Sequence, residues 1–170
     1  METKRPTTIE ASAKAGVLMG LFWVFKYLFV IFGGESSSMA SLYIAFTMMV
    51  PYVAYRMTTH YRTSFGDTPF GFLSAWSFVI YLFLFAGLIV SLVHFYYYKF
   101  VIGTLGIAQA FQEMLAIVRE VSTDPTLLNE MKEFGTPTPI LMTTQQLINN
   151  IMAGIIIGLP IALFTRKKQS

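Results

Sequence analysis

The chain has 170 residues, no cysteine, 55 % hydrophobic and 16 % aromatic residues, and only 12 % charged ones. A soluble domain carries roughly 25 % charged residues. This deficit of charge, with 16 Phe and 9 Tyr, excludes a disordered chain, a disulfide scaffold and a zinc module and leaves an integral membrane protein. The net charge of +3 reads as membrane orientation, because the basic residues flank apolar runs; no nucleic-acid partner is expected.

A helix needs about 20 mostly apolar residues to cross the hydrocarbon core. Four runs qualify, at about Ala15–Phe32, Met39–Tyr55, Phe70–Phe100 and Leu141–Phe164. They are apolar throughout rather than alternating, so each is expected as a helix and not as a barrel strand. Lys4 and Arg5, the first run and Ser38-Met39-Ala40 loosely imitate a signal peptide. That run is longer than a signal core and is interrupted by Lys26, so an uncleaved span is expected.

The third run ends in Tyr96-Tyr97-Tyr98-Lys99, an aromatic and basic band that suits the headgroup level. A helical insert is expected over about 101–139. Leu105, Ala108, Phe111, Leu115, Val118 and Ser122 recur at spacings of three and four, opposite Gln109, Gln112, Glu113 and Glu120, which is the pattern of an amphipathic helix. Its apolar face, with Phe111 and Leu115, is expected to contact a partner, or to lie on its own bundle or on the membrane. Gly103 and Gly106 allow a break between the third span and this helix. Asp124 as N-cap, Pro125 at the first helical position and Gly135 as C-cap predict a short helix near Pro125–Phe134. Thr136-Pro137-Thr138-Pro139 then turns the chain back.

With four spans, Lys4, Arg5, Lys14, Arg56, Arg62, Arg166, Lys167 and Lys168 fall on one side. On the other, Glu35, Glu113, Glu120, Asp124, Glu130 and Glu133 outnumber Arg119 and Lys132. The positive-inside rule predicts cytoplasmic termini and an extracytoplasmic insert. The whole is expected as one membrane domain, all-α.

Helix packing in lipid relies on close backbone approach and interhelical hydrogen bonds. Gly16 with Gly20, and Gly154 with Gly158, form two Gly-x-x-x-Gly pairs at overlapping depths, so the first and fourth spans are expected to touch through them. Pro51 and Pro160 are expected to kink their helices. Gln145, Gln146, Asn149 and Asn150 are expected to face other helices or water.

Catalytic material is scarce: the only histidines are His60 and His94, and no span contains Asp or Glu. There is no clustered metal-ligand pattern, phosphate-cradling loop or nucleophile elbow. A non-enzymatic protein without cofactor or metal is expected. Lys26 lies some seven residues from the far end of its span, about 10 Å deep at about 1.5 Å per residue. It either snorkels toward Glu35 and the headgroups, or it joins His94 and Lys99 in a pocket for an anionic group such as a lipid phosphate. Arg56 and Arg62, within Tyr55–Arg62, form a second candidate anionic-lipid or ligand site.

The order Tyr61-Arg62, Gly66, Gly71-Phe72-Leu73-Ser74-Ala75-Trp76, the long aromatic third span, the acidic insert and the final Gly154-Ile155-Ile156-Ile157-Gly158 helix with its basic tail resembles one bacterial family over nearly the whole chain. This is the four-span inner-membrane family catalogued as domain of unknown function 4199. The resemblance implies fold and location in the bacterial inner membrane, with no assigned reaction or agreed catalytic residues. It also implies a neighbourhood, since members are often encoded near glycosyltransferases that use polyisoprenyl phosphates. Where the family has a Pro after the aromatic run, this chain has Val101-Ile102-Gly103. The function expected is a non-enzymatic subunit or accessory protein of an inner-membrane complex, with membrane lipids and another membrane protein as partners. The alternative is a small lipid or lipid-linked-sugar transporter that works as an oligomer.

Overall fold

Long apolar segments without internal polar partners must satisfy their own backbone, and they do so as helices. A computed structural model of the chain describes residues 6–33, 36–66, 68–122 and 125–166. These form α1 (Thr8–Gly33), α2 (Ser37–Thr63), α3 (Phe72–Tyr96), a π-helical segment (Tyr97–Ile102), α4 (Gly103–Val121), α5 (Pro125–Phe134) and α6 (Pro139–Thr165). Four of the helical stretches are long and apolar enough to cross a membrane, the third running through α3 and into α4. The chain is a multi-pass membrane protein of all-helical fold.

The helices outrun the apolar segments because their ends carry their own polar partners. At α1, the Glu10 amide donates to Thr7 Oγ1 (3.2 Å) and the Thr7 amide donates to the Glu10 carboxylate (2.9 Å), a reciprocal capping box. At the end of α5, Gly135 has φ 74 and its amide donates to the Met131 carbonyl, the glycine C-cap expected there. Asp124 and Glu35 lie outside the described residues.

The helices divide into two compact units, Met1–Ser91 with Leu147–Ser170, and Leu92–Gln146. In the first, α3 is the core: Ala75, Phe78, Val79, Leu82, Phe83, Ala86 and Val90 are at most 2 % exposed. Both glycine pairs press on this helix, not on each other. A Cβ at Gly16 would stand 2.5 Å from the Phe85 Cβ, and one at Gly20 2.8 Å from the Ile89 Cβ. A Cβ at Gly154 would stand 2.6 Å from the Phe83 Cβ, and one at Gly158 2.9 Å from Trp76 Cδ1. The expected contact of the first and last spans through their glycines is therefore replaced by two contacts with α3. Spacing alone marks a surface as close-packing without saying which helix fills it.

Polar ties fix the same arrangement. Ser12, fully buried, has its hydroxyl 2.7 Å from the Thr8 carbonyl and 3.2 Å from the Phe78 carbonyl. The Trp76 indole donates to the Ile155 carbonyl (3.0 Å), and the Arg62 guanidinium donates to the carbonyl of Thr165 at the end of α6 (3.2 Å). With Thr8 Oγ1 3.1 Å from the Tyr61 hydroxyl, these bonds gather the start of α1, the end of α2 and the end of α6 at one end of the unit.

In the second unit the backbone re-aims the chain at Gly103, whose φ of 69 and ψ of 171 lie in a region that essentially only glycine occupies. The break that glycine allows there is present. Along α4, Ile107, Phe111 and Leu115 are buried by the chain itself, while Leu105, Ile117 and Val121 are exposed. Of the settings expected for Phe111 and Leu115, the structure shows both side chains covered by their own chain rather than offered to a partner or the membrane. Of the expected stripe, Phe111 and Leu115 are buried, whereas Leu105 is exposed and Ile107, outside that stripe, is buried in its place. Of the polar residues that start α6, Gln146 donates to the Tyr98 hydroxyl (3.4 Å).

Overpacking a tight contact costs typically about 1–3 kcal/mol. Gly16→Val should lower the melting midpoint in detergent accordingly, and an unchanged midpoint would remove the contact with Phe85. Gly103→Ala should cost about 1–3 kcal/mol by backbone strain alone, read from the same melts.

Candidate functional site

The helices α1 and α2 form an antiparallel hairpin whose two halves differ. Near the turn it is tight. Phe46 packs among Phe22, Phe25 and Phe29, with ring centroids 5.4 to 5.9 Å apart, and a Cβ at Gly33 would stand 2.7 Å from the Met39 Cβ. Lys26 lies in this half. Its ammonium donates to Thr47 Oγ1 (3.1 Å), stands 5.0 Å from the Tyr43 ring centroid and 5.9 Å from that of Trp23. A hydroxyl and two ring faces thus stabilise the cation by a hydrogen bond and by ring quadrupoles. The Trp23 indole nitrogen is buried and has no hydrogen-bond partner among the described residues.

Beyond Pro51 the hairpin opens. Proline lacks the amide that would close a helical bond to Thr47, so α2 loses one rung between its tight and open halves. From Tyr52 onward the two helices bound a cavity of about 920 Å³, with Phe78 of α3 in its wall. Its apolar lining includes Leu18, Val53 and Met57, and its basic residues are Lys14, Arg56 and His60, with no carboxylate among the lining side chains. The Tyr61 ring stacks on Phe78 (centroids 4.7 Å, 13° between planes), and Tyr61 meets Thr8 through its hydroxyl, tying the two helices together beside the opening.

The candidate residues fall into separate settings. Lys26, Arg56 and Arg62 belong to the first unit; His94 and Lys99 belong to the second. Within the second unit His94 is buried, with its ring 6.4 Å from that of Tyr98, whereas Lys99 is exposed with its ammonium 5.3 to 5.4 Å from the Phe95 and Phe100 ring centroids. Arg56 lines the cavity, while Arg62 has a donor committed to the α6 carboxyl terminus, where a cation also suits the helix dipole. Lys14 and His60, to which the sequence alone assigns no ligand role, both line the cavity. A signal for them exists: Tyr52, Arg56 and His60 recur every four residues, as do Val53 with Met57 and Lys14 with Leu18, so each set shares a helix face.

Residues 14–167 match the family model described as Protein of unknown function (DUF4199). The chain belongs to this family. The DUF4199 match includes Lys26 and every basic residue of the cavity. No curated protein and no solved structure matches the chain.

For this DUF4199 member, a double-mutant cycle of Lys26→Met and Thr47→Val should give a coupling of about 0.6 kcal/mol, the magnitude common for hydrogen bonds between membrane helices. Thermal unfolding of the four variants in detergent measures it. A coupling of zero would show that the ammonium is held by the rings alone.

Proposed function

We propose that the chain is a non-enzymatic subunit of a bacterial inner-membrane complex, docking sideways on a partner protein through α2. One observation carries this reading. Among the four spans, α2 has the lowest mean hydropathy, 1.3 against 2.0 to 2.5, and yet is the least covered by its own chain, with 11 % of its apolar stretch buried against 22 to 44 %. Lipid favours the reverse, since the least apolar helix gains most from protein neighbours. On the half of α2 nearest the turn, Ser41 and Ala45 are exposed beside Ile44, Met48 and Met49. Small side chains among larger apolar ones let a foreign helix approach closely.

The orientation proposed puts the end shared by α1, α2 and α6 in the cytoplasm, with the α4–α5 segment on the opposite side. Its support is the concentration of Lys14, Arg56, Arg62 and Arg166 at that end of the sequence's spans.

Extraction into lipid nanodiscs directly from the native membrane, followed by mass spectrometry of the proteins, tests the docking. A stoichiometric protein partner is expected. Ala45→Trp should reduce its recovery by about tenfold, a change of about 1.4 kcal/mol, without moving the melting midpoint. Recovery of the chain alone from the native membrane would overturn the reading, as would partner recovery unchanged by Ala45→Trp.

A further inference from the structure

We propose that the cavity between the open halves of α1 and α2 binds one membrane amphiphile with a phosphate headgroup and a long apolar tail. The headgroup sits against Lys14, Arg56 and His60, and the tail lies along Leu18, Val53 and Met57. This site is independent of the docking face, which occupies the other half of α2.

Three observations converge on that ligand class. The first is charge: three basic side chains line one opening, and no carboxylate is among the described residues that line it. Among the described residues these side chains have no hydrogen-bond or ion-pair partner of their own, in contrast to Arg62, which is engaged with Thr165. The nearest competing acid in sequence, Glu10, holds the Thr7 amide in the α1 cap. An arginine and a lysine with free donors favour a phosphate, through charge-assisted bonds that lipid strengthens by excluding water.

The second is the wall. Apart from those charges the lining is mostly apolar, with Ala11, Ala15 and Phe78 adding to the three tail-contacting residues. A free anion would gain nothing from such a wall, whereas a tail buries apolar surface against it. The volume, about 920 Å³, falls within the roughly 300–1,000 Å³ of small-molecule sites.

The third is access. Leu18 is 63 % exposed and Tyr52 58 % exposed, and both line the cavity in helices that span the membrane. The cavity therefore opens sideways toward the acyl chains, and an amphiphile enters from its own leaflet without drawing its tail through water. The Thr8–Tyr61 contact and the Tyr61–Phe78 stack tie the surrounding helices, so the opening does not depend on the ligand to hold it apart.

The test uses the purified full chain in nanodiscs made from equimolar dioleoyl phosphatidic acid and dioleoyl phosphatidylcholine, with native mass spectrometry of the lipid that survives detergent exchange. One phosphatidic acid per chain is expected. The K14Q/R56Q double variant should retain about tenfold less of it, through loss of two charge-assisted contacts, while Arg119→Gln, in the other unit, retains it in full. Equal retention of the two lipids, or full retention by K14Q/R56Q, overturns the proposal. Displacement by millimolar inorganic phosphate overturns it too, since the tail would then contribute nothing. If the double variant does not fold, the parent chain decides: a phosphatidic acid with a diazirine in its tail should label peptides containing Leu18 and Val53–Met57, and labelling confined to other segments overturns the site.

Discussion

Inside a bilayer, apolar side chains gain little by leaving lipid for one another, so a bundle is held where backbones approach closely and where stranded polar groups find each other. Here both conditions are met on one helix. Gly16 and Gly20 fit over Phe85 and Ile89, while Gly154 and Gly158 fit over Trp76, Val79 and Phe83. At about 100° per residue these two sets lie about 130° apart around α3, so that α1 and α6 grip it from two sides. The buried Ser12 hydroxyl and the Trp76 indole add a polar tie on each. The complete burial of the α3 core residues follows from this double grip.

With α3 and α6 engaged in this way, α2 is left with α1 as a main neighbour and with much of its surface uncovered. The hairpin resolves its two tasks by position. Near the turn, Phe46 and the Lys26–Thr47 bond close it; past Pro51 it opens into the basic and apolar cavity. A helix that packed evenly along its length would have no such space, and one without Pro51 would keep an unbroken ladder across the transition.

The fold was legible in the sequence to the extent that it depends on composition and local chemistry. The runs of about twenty apolar residues, the Pro125 restart, the Gly135 stop and the shared face of Phe111 and Leu115 all carry local signals that tertiary packing did not override, whereas Leu105, expected on that face, is exposed. What sequence could not supply was the identity of neighbours. The glycine pairs announced close contacts, yet the same four-residue spacing fits any opposing helix, and α3 proved to be the one. Phe111 and Leu115 announced an apolar face, but whether a chain covers such a face itself is a question of three-dimensional distance. At the candidate site Arg56 was readable because it adjoins aromatic residues in a short stretch. Lys14 was counted only for orientation, since its relation to Arg56 and His60 crosses from one helix to another and leaves no trace in linear spacing.

Two donors at the last helix interface have a bearing on how the molecule is made. Trp76 and Arg62 are synthesised long before α6, yet their acceptors are the carbonyls of Ile155 and Thr165. Until α6 inserts, an indole and a guanidinium lack those partners, and an unsatisfied polar group in hydrocarbon is costly. A chain halted or truncated before its final helix thus differs chemically from a finished one, and does so at sites that lie within or beside the bilayer.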